Sequence, residues 1–320
     1  MSGLCILIII LPKILMFTES LRVCIWTFRI DPYTRLTTKS TSQKIWFDAF
    51  DLLFNFRGIG WSWPQGLHIP TETRNVTSTK CFILTTLQWL ILGLIAFDFC
   101  HYPVQAMLST SSDYPTVSIF DPSLPPLVRY ARSTVITILT GFTVYKGVDN
   151  QYNFISLIAI LVFRQSPSLW PPMSDRPYHA TSLNQFWTIR WHQSFRDIFI
   201  RCGVAPSAYF FGKAGGVLGA FLISGILHDI GCWGMGRGID IKGISGFFLM
   251  NGVGIILEHF YKLLTGKRVE GIVGRIWTFS WLIVWGNFLV DAWFRHGLGA
   301  SRFWPQYMSP AFNIYRLLFS

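Results

Sequence analysis

At ~150 residues per soluble domain, 320 residues would suggest two domains, but the composition removes that reading. Hydrophobic residues supply 51% of the chain and charged residues 13%, about half the ~25% charge of ordinary globular proteins, and mean hydropathy is +0.40. Too few polar side chains exist to cover a water-facing surface, which excludes a soluble, disordered, collagenous or disulfide-stapled protein and leaves the lipid bilayer as its surroundings.

The 27 Lys and Arg against 16 Asp and Glu give +11. The basic residues are spread over three polar stretches, around Arg22–Arg57, Arg190–Arg201 and Lys262–Arg275. In a membrane protein such stretches mark cytoplasmic loops or headgroup contacts. No recognition module for nucleic acid accompanies them, so nucleic acid is not an expected partner. The six cysteines show no C-x-x-C spacing and sit mostly in or beside apolar runs. They predict neither a metal site nor a disulfide framework.

In chain order, Met1–Phe17 is apolar but lacks a basic leader and is interrupted by Pro12-Lys13, which reads as a short uncleaved span. Thr18–Lys80 is a long polar loop with amphipathic pieces such as Ile45–Phe56. It carries the sequon Asn75-Val76-Thr77, relevant only to a lumenal loop. Cys81–Phe99 is the clearest span. After the Pro/Ser-rich Ser109–Pro126, the short runs Ser133–Tyr145 and Asn150–Phe163 are split by Lys146-Gly147-Val148-Asp149. They read as two tilted spans, or as one span and a re-entrant or interfacial piece. Beyond the Pro-rich loop Ser166–Pro177, Thr181–Cys202 places Trp187, Trp191, Phe195 and Ile198 on one helical face and Arg190, Gln193, Asp197 and Arg201 on the others. That pattern predicts an interfacial amphipathic helix. Tyr209–Leu227, Gly243–Leu257 and Ile276–Val290 complete the apolar runs, closed by His228-Asp229, Glu258-His259 and Asp291. The fold class expected is all-α: a polytopic transmembrane helical bundle of roughly seven or eight apolar segments with an interfacial amphipathic helix.

His228 ends an almost wholly apolar run, at a depth where an ionisable group is costly and usually functional. Stepping back by four from it gives Ser224, Ala220, Gly216 and Gly212, a face of small residues that either admits a packing helix or forms a groove for a flat hydrophobic substrate. A packing histidine is the plainer alternative. A lone buried imidazole suits general-base deprotonation of a hydroxyl that attacks an activated acyl group. The sequence has no G-x-S-x-G elbow and no cysteine in a nucleophile signature, which favours direct transfer over an acyl-enzyme. His192 lies among aromatic and basic residues, an interfacial cluster or a second functional imidazole. The Gly-rich Gly231–Gly238 reads as a helix-ending loop. Glu258 and Asp291 read as snorkelling groups rather than buried polar partners.

The block Phe186-Trp187-Thr188-Ile189-Arg190-Trp191-His192-Gln193, followed by the apolar helix carrying Ser224-Gly225-Ile226-Leu227-His228-Asp229, resembles the wax synthase-like branch of the membrane-bound O-acyltransferases. The earlier Arg57-Gly58-Ile59-Gly60-Trp61-Ser62-Trp63 looks like that branch's N-terminal signature. The resemblance implies one membrane-embedded acyltransferase domain over residues 1–320, with a core of about 160–260. It implies His228 as the catalytic base and His192 as the second functional position, where many relatives carry Asn. The fungal-type members imply acetyl-CoA as co-substrate, with no permanently bound cofactor and no metal. The acceptor would be a lipophilic alcohol, a terpenoid or polyketide secondary metabolite, and the membrane the endoplasmic reticulum. Arg190, Arg196 and Lys213 are candidates for the CoA phosphates, and Gly216, Ala220 and Ser224 for the substrate groove. The alternatives are a wax synthase acting on long-chain acyl-CoA and a non-catalytic transporter.

Overall fold

The computed structural model describes residues 17–27, 33–36, 45–64, 66–108, 117–300 and 305–319. The expected span over Met1–Phe17 falls almost wholly outside them. The described chain is helical, without a strand among the described residues; a single antiparallel bridge joins Arg35 and Trp61. The main helices are α1 (Ile45–Phe54), α2 (Thr79–Leu108), α3 (Pro126–Leu161), α4 (Ala205–Gly234), α5 (Ile244–Thr265), α6 (Gly271–Arg295) and α7 (Pro310–Phe319).

Four stretches are long and apolar enough to cross a bilayer: Thr79–Leu108, Arg196–Gly234, Ile244–Thr265 and Gly271–Arg295. The protein is an integral membrane protein, with fewer such segments among the described residues than the seven or eight expected. One reason lies in α3. Ser133–Tyr145 and Asn150–Phe163 are not separate segments but parts of one 36-residue helix, ~54 Å long at 1.5 Å per residue. Its Pro126 occupies the first turn, where no amide is needed. Gly147 does not break it, and Phe97 of α2 packs over this point of the helix.

Arg196–Gly234, by contrast, is not one rod. In a continuous helix Gly203 and Gly219 would stand ~24 Å apart. Here a Cβ on Gly203 would lie 2.6 Å from the Gly219 carbonyl oxygen and 2.8 Å from Ala220 Cα. The chain reverses at Gly212, whose φ of 67° and ψ of −165° are non-helical, a conformation open to glycine. The result is a helical hairpin: an arm over residues 196–211, then a limb over 213–234. The arm's length is at most ~24 Å, short of the ~30 Å hydrocarbon core, too short to cross a bilayer by itself. At its tip Tyr209, Phe210 and Phe211 are 84%, 73% and 76% exposed.

The interfacial amphipathic helix expected over Thr181–Cys202 is absent. Those residues form a short turn at Leu183–Gln185, a π-helical turn at Phe186–Arg190, and an extended break at Trp191. The arm follows, with a second π-helical stretch at Phe199–Val204. The amphipathic pattern arose because one side of this broken segment faces an internal space, not because it lies on a membrane surface.

Helix packing runs in the order α2, α3, α6, α5, α4, arm. Among the described residues no extensive packing joins the arm back to α3, and residues of both border one cavity. Glu258 and Asp291 are buried, contrary to the snorkelling reading. Asp291 accepts from Ser118 Oγ (2.7 Å), the Ile119 amide (3.0 Å) and Arg295, which fixes the loop before α3. The helix-ending reading of Gly231–Gly238 holds, with Gly236 and Gly238 at φ of 71° and 79°. Asp229 accepts from the Asp240 amide and from Ser245 Oγ, tying this loop to α5.

The hairpin's glycine seam has a measurable consequence. Gly219→Ala pushes a methyl into the arm's backbone, a form of overpacking that costs about 1–3 kcal/mol. It is expected to lower the thermal unfolding midpoint in detergent, followed by tryptophan fluorescence.

Candidate active site

The limb of α4 carries His228 level with the start of the arm, because the glycine seam pairs residue 203 with 219 and the hairpin runs antiparallel. Its Nδ1 stands 2.7 Å from the Ser224 carbonyl oxygen. A carbonyl only accepts, so Nδ1 carries the proton and Nε2 keeps its lone pair. The ring lies against Phe248 of α5 at 4.2 Å between centroids.

His192 comes from the irregular segment between the two π-helical stretches, which other elements hold in place. Glu258, in the middle of apolar α5, accepts from the amides of Leu183 (2.6 Å) and Asn184 (3.0 Å) and from Trp277 Nε1 (3.0 Å). It thus supplies a helix cap from a neighbouring helix. Fully buried Asn251 accepts from Trp187 Nε1 at 3.1 Å. Gln193 donates to the Thr188 carbonyl and accepts from the His68 amide. Buried Arg57 donates to the carbonyls of Pro171 (2.9 Å) and Pro172 (2.8 Å) and to Tyr152 of α3. Its neighbour Phe56 meets Phe195 edge-on at 5.2 Å. The Arg57–Trp63 motif therefore braces the His192 segment from outside.

Both imidazoles line one cavity of about 970 Å³, walled largely by aromatic and aliphatic side chains such as Trp187, Phe221, Phe248 and Leu282. Its size is at the top of the ~300–1,000 Å³ range of small-molecule sites. His192 Nδ1 is buried with no hydrogen-bond partner among the described residues. Burial, with His228 and Arg57 nearby, pushes the pKa of His192 down to about 4.

The other expected site residues divide. Ala220 and Ser224 line the cavity, as do Arg196 and Lys213. Gly216 does not: its face is filled by Val204 and Ala208 of the arm, with Ala208 Cβ 3.0 Å from the position its own Cβ would take. The groove of small residues is thus half occupied by the chain itself. Arg190 is also outside the cavity, donating to the Asp175 carbonyl at 3.1 Å and pairing with its carboxylate at 3.8 Å. Arg196 and Lys213 stand at opposite ends of the arm, roughly 20 Å apart by helix rise, so they cannot grip one phosphate together. Glu258 and Asn251 were missed as site supports. Their signal, a polar residue in mid-helix, does not say whether lipid headgroups or a neighbouring segment will satisfy it.

Residues 170–250 match the family model of the Membrane bound O-acyl transferase family, the stretch holding both imidazoles. Over that stretch the chain is similar to the membrane-bound O-acyltransferases. It is 27% identical to "Acetyltransferase eriL" of Hericium erinaceus over 74% of this chain and 63% of that protein. To "O-Mevalon transferase macI" of Penicillium terrestre it is 26% identical, over 77% of this chain and 62% of the relative. The plant "Long-chain-alcohol O-fatty-acyltransferase" of Simmondsia chinensis is 29% identical over 51% of this chain and 49% of its own. The chain spans about three fifths of the length of the fungal relatives. No solved structure matches it significantly. The sequence resemblance to the wax synthase-like branch is borne out.

Because the folded protein keeps His192 neutral while the unfolded chain protonates it near pH 6.5, acid favours unfolding: the unfolded state binds more protons as pH falls from 6.5 towards 4. Between pH 7 and pH 5 the unfolding midpoint is expected to drop, and to drop less in His192→Asn. Equal slopes for the two proteins would show that His192 is not held neutral.

Proposed function

We propose that this protein is an O-acyltransferase that moves an acetyl group from acetyl-CoA to the hydroxyl of a lipophilic small molecule, a terpenoid or polyketide secondary metabolite. The observation that carries the reading is the pair of imidazoles on a single large apolar cavity within a membrane bundle. The names of the fungal relatives support acetyl as the donor group. The chain acts as one membrane-embedded domain with its chemistry centred on about 160–260, in the endoplasmic reticulum membrane.

His228 Nε2 takes the proton of the acceptor hydroxyl as the oxygen attacks the thioester carbonyl carbon. The tetrahedral oxyanion collapses, the C–S bond breaks, and the departing CoA thiolate recovers the proton from the His228 imidazolium. No covalent enzyme intermediate forms, and the imidazole ends as it began. A buried N–H with no acceptor is costlier than an unused lone pair, so His192 carries its proton on Nε2 and donates it to the oxyanion. Its neutrality fits this: the donor is needed only when charge develops on the carbonyl oxygen. Arg196, level with both histidines and with its Nε unpartnered among the described residues, meets the CoA phosphates. Lys213 lies too far along the slot to share them.

The plant relative's name favours a second reading, a long-chain acyl donor, which the cavity's volume would also admit. Membranes containing the protein, given radiolabelled acetyl-CoA and a panel of lipophilic alcohols, are expected to yield labelled ester; a series of acyl-CoA chain lengths separates the two donors. A non-catalytic transporter would leave all label in CoA. His228→Ala is expected to cut ester formation by ~10²–10⁴-fold, the usual worth of a general base, at unchanged protein level in the membrane. An active His228→Ala enzyme would remove the base from the mechanism. Arg196→Gln is expected to raise KM for acyl-CoA, while Lys213→Gln leaves it alone.

A further inference from the structure

We infer that Gly141 sets the width of the slot through which the acceptor reaches His228, and so selects acceptors by cross-section; this rests on the acyltransferase reading above. The slot follows from the packing order. Among the described residues the packing order α2, α3, α6, α5, α4, arm includes no extensive contact between α3 and the arm, and residues of both border the cavity, which leaves a gap between them. At one end of this gap Tyr145 of α3 meets Tyr178 and Trp191, with ring centroids 6.3 and 6.4 Å apart. Beyond that closure the cavity is bounded by Ile138, Gly141 and Phe142 on α3 and by Ile200, Val204 and Ala208 on the arm. Ile138, Gly141 and Phe142 are also exposed, so this wall of the cavity is accessible.

Glycine in a helix interior is destabilising relative to alanine, and most of the other helix glycines have a local reason to be there. Gly203 and Gly219 admit the hairpin seam, Gly225 admits Ser245, and Gly252 admits Phe221 and Leu218. Gly212, Gly236, Gly266 and Gly271 have empty surroundings but positive φ. Gly141 has neither reason: its backbone is helical, and a Cβ there would meet no atom within 4 Å. What its missing side chain leaves is free width at the mouth. The residues opposite, Val204 and Ala208, are small or branched and already wedged against Gly216, so the arm cannot recede to restore that width. A side chain at 141 would narrow the slot while touching nothing in the folded protein.

The test is a graded series, Gly141→Ala, Gly141→Leu and Gly141→Phe, assayed with a linear primary alcohol and a fused-ring alcohol. Gly141→Ala is expected to raise the unfolding midpoint slightly. Gly141→Leu and Gly141→Phe should lower kcat/KM for the fused-ring alcohol at least tenfold. The linear alcohol should change less than twofold, and KM for acyl-CoA should not move. Equal losses for both alcohols, or none for either, would overturn the assignment. A second readout needs no catalysis. With Ser224→Cys placing a thiol in the cavity, maleimides on a linear chain or a fused-ring body are delivered from lipid vesicles. Alkylation at residue 224 is then measured by mass spectrometry. Adding Gly141→Leu should slow only the fused-ring reagent, and unchanged rates for both would sink the inference. If the parent protein esterifies no alcohol yet the labelling discriminates, the acyltransferase reading fails and the slot stands.

Discussion

The contact on which the rest of this structure depends is the backbone-to-backbone seam between Gly203 and Gly219. Two helices approach this closely only where neither carries a side chain, and within lipid such close van der Waals contact is a main source of helix association. The seam folds Arg196–Gly234 back on itself, and the fold-back has three effects. It lays a short arm against the limb of α4, sets His228 level with the segment carrying His192, and leaves the arm without extensive packing on α3. Cavity, imidazole pair and slot all follow from it.

A second constraint is the cost of irregular backbone inside the protein. Residues between Trp170 and Phe195 are mostly not regular helix, and buried amides or carbonyls left unpaired would each be costly. The protein meets this with polar side chains donated by neighbouring elements. Glu258 holds two amides, Arg57 holds two carbonyls, and Gln193 and Asn251 hold the turn between them. These groups are polar residues in apolar surroundings, yet none need touch a substrate. They keep an extended, aromatic-rich strap at the bundle's interior so that one of its residues, His192, is presented to the cavity. Removing any one of them would loosen the position of that imidazole.

The two histidines differ in environment in a way that suits different tasks. His228 is oriented by its own helix, through a carbonyl one turn back, which fixes its tautomer and aims the lone pair inward. His192 has no such partner on Nδ1 among the described residues, and in the proposed mechanism its proton sits on Nε2, toward the cavity. In that mechanism one imidazole receives a proton and the other offers a hydrogen bond. That division of labour needs neither a metal ligand set nor a covalent nucleophile.

Composition and local pattern determined the environment, the helical class and the identity of the central imidazole, because burying charge in lipid is so costly that an isolated His in an apolar run carries information on its own. The motif around Arg190–Gln193 likewise announced the relatives. What the tertiary structure alone decided is which polar residue satisfies which backbone group, and where a helix turns back. Lys146–Asp149 looked like a break and is helix, with α2 packed against Gly147; Gly212 looked like helix and is the reversal, since Gly203 and Gly219 attract the two limbs together. Arg190 is charged like Arg196, but only a fold could show that Asp175 occupies one and leaves the other at the cavity. Hydropathy averages over neighbours in the chain, whereas these outcomes depend on contacts between residues far apart along it.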